Sequence, residues 1–519
     1  MTLLNEDIVM DFYCDLLSQD EILFLKGKKD EREKIMDKIN ELKEIDKLHD
    51  KIELAKDLWK VLFKNAMSFI DPNLKGYDTL FRYFDVFVDF EELIFASDSF
   101  YRDHTLHCLW VYFLGEYLFR NPEYQPLFSS FNEANHQANK IVNFYKKFEM
   151  PEIFEGIISV ADNFQLLEEN EESIRCVVAL AHDLGYPLKK IAKINKSIGE
   201  ILPFFSIFKF GEFDFQFDTI QQFYINSFLE LMSARFDLTP TEIDLNFTEF
   251  DLVQGFFTRL NKIGPQDYEY NINANTEKFN ELKQYLKSLG EQEKFILKRV
   301  HEVKGMLRKE ITRMLRYSND FETYQHGIMS SFLLIKTLNA FSNMKISYSD
   351  PDNIPSYNFS LLPIIDAKLN ILQAMADHTS PGFQIRNFNS YSSFLILIDE
   401  IEEFSRISRA DQFREFVNEF CKSSVTFQDG ILKIDFIFDN ADIPNLNPEI
   451  AFKGKCTRFL NVFDLSNLDE KIRIRFRCIG KIPENKNIYE LTIENGSYEI
   501  TVNNEKQDIN DYLRTEEIS

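Results

Sequence analysis

The sequence predicts a mainly α protein with a small β-rich C-terminal domain, and three observations carry that expectation. Glycine is scarce (17 residues) and prolines number fifteen over 519 positions, which leaves room for long unbroken helices. Apolar residues recur every three or four positions from the N-terminus to about residue 415. Beyond about residue 416 the period falls to two, and short apolar runs are separated by Asp429-Gly430 and Asn495-Gly496, dipeptides suited to tight hairpin turns. A chain this long exceeds one ordinary core. The organisation expected is an N-terminal helical region over 1–95, a helical domain over 96–415 with an insertion at about 195–316, and the β-rich domain over 416–519.

The elements follow in order. Between Asp30 and Lys60, Ile35, Ile39, Leu42, Ile45 and Leu48 repeat at helical spacing among Lys, Glu and Asp, which reads as an amphipathic helix or helix pair with a solvated charged face. The segment Ile201–Phe236 crowds Phe204, Phe205, Phe208, Phe210, Phe213, Phe215, Phe217, Phe223 and Phe228 together. It reads first as a core-packing insertion, with a pocket wall or subunit contact as the other readings. Thr239-Pro240-Thr241-Glu242 has the form of a helix start, and Asn271–Arg316 that of a long charged amphipathic helical region. Strands are expected at Ser424–Gln428, Ile431–Phe438, Ile472–Ile479, Ile488–Glu494 and Ser497–Val502. In the second of them Leu432, Ile434, Phe436 and Phe438 share one face.

Composition narrows the function. Acidic side chains outnumber basic ones 84 to 59, a formal charge of −25, and no Arg/Lys stripe interleaves with aromatics. Long nucleic acid is therefore excluded as a stable partner, because it needs a basic track to release its counterions. A small anionic substrate remains compatible if bound cations reverse the local field. The six cysteines are scattered, as in a reducing compartment. The start MTLLNEDIVMDFY lacks the basic, apolar pattern of a signal peptide, and no run of 18 apolar residues offers a membrane span. A soluble cytoplasmic protein without a membrane partner is expected.

The histidines carry the chemistry. His49, His136 and His301 lie in charged surroundings and read as surface residues. The other five adjoin apolar helical runs. His182-Asp183 ends the run CVVALAHDLGYPLKKI, placing a neutral nitrogen donor beside an anionic oxygen donor that can bridge two cations. RDHTLHCLWVYFLGEYL puts His107 at the start of an apolar helix, with His104 one turn before it on the same face. TYQHGIMSSFLLIKTL opens another helix with His326, AMADHTSPGF places His378 at a helix end, and SFLILIDEIEEFSR plants Asp399 in an apolar run. A carboxylate there is costly unless paired or bound to a metal.

The order His107, His182-Asp183, His326, His378, Asp399 resembles the HD-domain metal-dependent phosphohydrolase superfamily in its two-metal form, H…HD…H…H…D. The wording around the positions fits too: A-x-x-H-D-L-G, Q-H-G with small residues after it, and I-D-E-I ending in S-R. The similarity covers the motif helices within about 100–410. The resemblance implies an HD-type helical catalytic core and divalent metal ions, two in number, iron or manganese first, with magnesium, zinc or nickel as alternatives. It implies that His107, His182, Asp183 and Asp399 hold the first ion, and that Asp183 bridges to a second completed by His326 and His378. His104 would be either a substitute ligand for His107 or the proton donor to the leaving alkoxide; the spacing from His107 to Val111 and Gly115 favours His107 as ligand.

Two departures stand out. Tyr186-Pro187 replaces the lysine that many family members carry directly after H-D-x-G, and the long interval from Asp183 to His326 implies the insertion. Arg102, Lys189 and Lys190 are the phosphate contacts considered. HDLGYP is not the signature of the HD-GYP subfamily, whose GYP triplet follows well after the HD pair. The expected activity is hydrolysis of a nucleotide or other small phosphate ester by a metal-bridged hydroxide, in a protein open to homo-oligomerisation. A di-iron oxygenase and a non-catalytic nucleotide sensor or scaffold are the alternatives.

Overall fold

The computed structural model describes residues 3–95, 100–128, 131, 170–209, 211, 217–241, 284, 287–288, 302–342, 362–404, 406–408, 420–441, 443 and 446–513. The N-terminal charged region is a pair of helices, Lys29–Glu44 and Leu48–Met67. Ile35, Ile39 and Leu42 of the first and Leu48 of the second are buried, while Ile45 falls in the link between them. They pack with Glu6–Ser18, which starts where the Asn5 side chain accepts the Ile8 amide, and with Tyr77–Phe95. Trp59 stacks on Phe63 and Phe84 at 4.8 and 4.1 Å between centroids and donates from Nε1 to the Leu180 carbonyl at 2.6 Å. The N-terminal helices thus rest directly on the segment that leads to His182-Asp183, in one continuous apolar core.

At the centre of that core lies the helix His104–Arg120, buried almost all round from His104 to Glu116. Its Glu116 is compensated by Arg175 Nε at 2.7 Å and Arg120 Nε at 2.8 Å. Around it stand the helix over 170–181 and the helices Tyr186–Ile201, Ile311–Glu322, His326–Thr337, Leu362–Asp377 and Tyr391–Ile401. A short antiparallel pairing of Phe100–Arg102 with Arg406–Ser408 ties the entry of the first helix to the exit of the last.

The C-terminal region holds a six-stranded sheet. Its order runs from Glu505–Lys506 through Ser497–Val502, Ile488–Glu494, Arg473–Gly480 and Ile431–Phe438 to Lys422–Gln428. Both hairpin dipeptides adopt positive φ at each residue (Asp429 55°, Gly430 73°; Asn495 50°, Gly496 71°), the geometry that matches strand twist. Leu432, Ile434, Phe436 and Phe438 are buried on one face as expected, and Asp435 on the other is also buried, paired with Arg477. One feature escaped the sequence reading. Ile431–Phe438 and Arg473–Gly480 pair in parallel, and the helix Pro448–Val462 makes the crossover between them, its Phe452 and Phe459 stacking on Phe476.

Three expectations for the insertion need correction. Thr239-Pro240-Thr241 does not open a helix but ends the strand Ala234–Thr241, and Glu302–Lys309, expected as helical, is its antiparallel partner. With no third strand paired to it among the described residues, the two-stranded ribbon accommodates a proline, which withholds a single donor. The aromatic segment is not wholly core. The helix Thr219–Met232 buries Phe228 against Phe321 and Phe332 and leaves Phe223 exposed on another face, while Phe204 and Phe205 on the single turn Leu202–Phe205, and Phe208 after it, are also exposed. Phe210, Phe213 and Phe215, the remainder of Asn271–Arg316 up to residue 301 apart from 284 and 287–288, and His136 and His301 lie outside the described residues. Among the described residues no helix is long and apolar enough to cross a membrane.

Asp366, on the helix that ends before His378, is buried and accepts one hydrogen bond from Asn370 at 2.9 Å. Burial pushes its carboxyl up to about 7. Folding therefore favours its neutral form, and its contribution to stability falls as pH rises from about 4 through about 7. Asp366→Asn is expected to be about 2 kcal/mol or more stabler than the parent at pH 8 and indistinguishable from it near pH 4, as measured by urea unfolding.

Candidate metal centre

Each predicted site residue sits at a helix end, and the helix ends converge. Asp103 caps the His104–Arg120 helix, accepting the Thr105 and Leu106 amides at 3.0 and 2.9 Å, which puts His104 and His107 in its first turn. Burial pushes the Asp103 carboxyl up to about 6. The 170–181 helix stops just before His182, whose Nδ1 donates back to the Ala179 carbonyl at 2.7 Å. The Leu362–Asp377 helix ends in the same way, with His378 Nδ1 at 2.5 Å from the Met375 carbonyl. In both cases the ring satisfies a carbonyl that the helix terminus leaves open and turns Nε2 inward. His326 opens its helix, and Asp399 lies near the end of Tyr391–Ile401.

Two glycines allow the helices to meet. A Cβ on Gly185 would stand 2.3 Å from the His326 carbonyl oxygen, and one on Gly327 would stand 2.1 Å from the Met375 carbonyl oxygen. Ser330 fastens the contact, accepting the Gly185 amide at 2.7 Å and donating to the His182 carbonyl at 2.6 Å. From the N-terminal side the Tyr83 hydroxyl donates to the Leu184 carbonyl.

Asp183 is the hub. Its Oδ2 lies 3.2 Å from His182 Nε2 and 3.7 Å from His107 Nε2; its Oδ1 lies 3.2 Å from His326 Nε2 and 3.5 Å from His378 Nε2. Asp399 Oδ1 stands 3.0 Å from His107 Nε2. Ligand atoms on a common ion at bond lengths of about 2.1 Å lie roughly 3–3.4 Å apart, close to these spacings. Among the described residues two groups of three share no member, His107, His182 and Asp399 on one side and Asp183, His326 and His378 on the other, and a third, Cys108 with His182 and Asp183, overlaps both.

The hydrogen bonding tests whether these residues suit a metal. His107 Nδ1 faces the buried Glu402 carboxylate at 2.5 Å and its Nε2 faces Asp399 Oδ1 at 3.0 Å, while His182 and His378 give Nδ1 to backbone carbonyls and leave Nε2 as the nitrogen that could bind a metal. The Nε2 atoms of His182 and His378 are buried and make no hydrogen bond among the described residues, although each points at a carboxylate. An ionised carboxylate among these nitrogens calls for positive charge, from protons on the rings or from a bound cation. The electrostatics agree. Burial would raise the Asp183 carboxyl, but His182, His326 and His378 outweigh it and hold it well below the usual range. Burial would depress His182, yet Asp183 raises it well above its ordinary value. Burial pushes His326 down to about 4 despite Asp183, so at neutral pH its ring is the uncharged form a metal needs. The residues fit a divalent cation.

Cys108 also lies near His182 and Asp183, but its Sγ approaches His182 Nδ1, at 4.0 Å, on the side turned from the other ligands. Burial pushes this thiol up to about 11, which keeps it a protonated, poor ligand. His104 belongs to none of these groups. Its Nδ1 is 2.5 Å from the buried Glu91 carboxylate, and its ring lies on Tyr186 at 3.8 Å between centroids. Burial would depress His104, but Glu91 raises it above its ordinary value. Tyr186 thus packs between His104 and His326. Lys190 lies over its ring at 4.6 Å, and Lys189 reaches Gln325 at 3.2 Å. His49 is exposed, and the Arg102 side chain lies outside the described residues.

No protein-family model, curated protein or solved structure matches this chain.

Glu402 and Glu91 were missed in the sequence. Glu402 had a signal, standing three residues after Asp399; Glu91 had none, because its partner arrives from a different helix. Glu402→Ala removes the acceptor that orients His107, and metal affinity is expected to fall about 10–100-fold, read by titrating the metal-free protein with Mn(II).

Proposed function

We propose that the protein is a metal-dependent phosphohydrolase of the HD type, acting on a nucleotide or another small phosphate ester. The observation that carries this reading is the placement of Asp183, whose two carboxylate oxygens each face a different pair of imidazoles. That is the arrangement of a carboxylate bridging two cations. His107, His182, Asp183 and Asp399 would hold one ion, and Asp183, His326 and His378 the other. Bound there, a pair of divalent ions supplies a water acidic enough to ionise at neutral pH and neutralises charge on phosphoryl oxygens.

The chain's own residues supply the rest. Glu91 faces His104 Nδ1 at 2.5 Å and raises the ring above its ordinary value, which favours its charged, proton-donating form. Such a group beside the ligands, 6.4 Å from His107 between centroids, is suited to protonate a leaving alkoxide. Tyr186 backs the His104 ring, tilted 38° to it. Lys189 and Lys190, on the helix that starts at Tyr186, offer positive charge near the His326 side for an anionic substrate in an otherwise acidic protein. A di-iron oxygenase would use the same ligands, but it has no evident need for an imidazolium poised by a buried glutamate. That pair favours hydrolysis.

Metal analysis of the purified protein and of Asp183→Ala, with both tested on a panel of phosphate esters, decides the matter. About two equivalents of metal in the parent are expected, lost in the variant together with phosphate release. Metal without hydrolysis of any ester would turn the reading towards oxygen chemistry, and absence of metal from the parent would refute it.

His104→Ala is expected to keep both metal equivalents and lose about 10²–10⁴-fold in turnover, with the smallest loss for esters whose leaving group needs no proton. Comparing aryl and alkyl phosphates on this variant checks the assignment.

A further inference from the structure

The segment Asp399-Glu400-Ile401-Glu402-Glu403 has two carboxylate faces. Asp399 and Glu402, three residues apart, turn towards His107. Glu400 and Glu403, also three apart, turn the other way, onto the Pro448–Val462 helix of the C-terminal region. There they meet Lys455 and Arg458, again three apart on their own helix.

The contacts are close and shielded. Lys455 Nζ donates to the Glu400 carbonyl at 2.7 Å and lies 2.9 Å from Glu403 Oε1, with Glu403 2% exposed. The carbonyl it reaches belongs to the last turn of the helix that carries Asp399, where the helix has no donor of its own. Arg458 Nε donates to Glu400 Oε1 at 2.6 Å, and its Nη2 donates to the backbone carbonyl of His378 at 3.0 Å. One guanidinium therefore grips the residue next to Asp399 and the backbone of His378, residues from the two separate groups of three. The neighbouring chain is pinned as well, with the Ile385 amide donating to the Val462 carbonyl at 2.7 Å and the Asp464 amide to the Ile385 carbonyl at 3.0 Å.

We propose that Arg458, with Lys455, is a positioning element of the metal centre, so that the C-terminal region sets the spacing between Asp399 and His378. This rests on the metal-centre reading above. A ligand carboxylate and imidazole must be held within a few tenths of an ångström to share a cluster with Asp183, and the fixed fork of an arginine spans two backbone segments as a flexible lysine does not.

The test uses the full chain and Mn(II) alone as probe, with binding followed by the electron paramagnetic resonance of free and bound ion. Arg458→Ala is expected to weaken Mn(II) binding about tenfold or more and to change the bound-ion spectrum. Arg475→Ala, which removes an equally exposed arginine paired with Glu490 in the sheet, is expected to leave both unchanged. Thermal unfolding of the metal-free proteins shows whether the two variants are equally folded, and Glu400→Gln, which keeps the side-chain shape, stands in if Arg458→Ala does not fold. Parent-like affinity and spectrum in Arg458→Ala or, in its place, Glu400→Gln would overturn the positioning role while leaving the metal centre intact. A parent chain that binds no Mn(II) would instead remove the metal-centre reading, and the positioning role with it.

Discussion

A carboxylate buried among four imidazoles governs this structure. Asp183 is within 3.7 Å of the Nε2 atoms of His107, His182, His326 and His378, and two of those atoms make no hydrogen bond among the described residues. An ionised carboxylate out of water costs several kcal/mol unless positive charge meets it. Protons on the rings supply part of that charge, since Asp183 raises His182 well above its ordinary value. A divalent cation held by the Nε2 atoms would supply it in their place, as those protons leave. The surrounding fold then follows as a requirement: five segments must end at one point with their donors aimed at each other.

Helix termini meet that requirement economically. A side chain at a terminus projects along the axis, and open carbonyls there can hold the second nitrogen of a ring, as Ala179 and Met375 do. The price is close backbone approach, which Gly185 and Gly327 permit and no larger residue would. The conflict stored at Asp183 is offset elsewhere, by apolar burial along His104–Arg120 and by the stacked rings of Trp59, Phe63 and Phe84 beneath the 170–181 helix.

Much of this was legible in the sequence, for a local reason. Helical and strand periods are properties of neighbours, so the charged helix pair, the two Asn/Asp-Gly hairpins and four of the five strand boundaries to within a residue could be read directly. The clustered histidines stood out because each was polar at the edge of an apolar run. What was illegible depends on distance. Glu91 lies 13 residues from His104, yet on a different helix, and nothing in its own surroundings marks it. The parallel pairing of Ile431–Phe438 with Arg473–Gly480 leaves no trace in either strand. Thr239-Pro240-Thr241 misled because a capping pattern is equally at home at the end of a strand whose partner arrives some sixty residues later.

The same contrast explains why the acidic run near residue 400 reads poorly as composition and well as geometry. Four carboxylates in five residues look like a solvated face, and a net charge of −25 encourages that view. The helix Tyr391–Ile401 ends within the run and Glu402 continues in extended backbone, and the run divides into a pair for the site and a pair for the neighbouring helix. Each pair is neutralised by a different chemistry: His107 and the charge it would share with a metal on one side, Lys455 and Arg458 on the other. Neither pair could be buried alone. Losing the basic helix would leave Glu400 and Glu403 as uncompensated charges directly beside Asp399, whose own charge the site requires. The arrangement therefore couples the C-terminal region to the centre of the helical core by electrostatics as well as by packing, across a span that no local sequence pattern encodes.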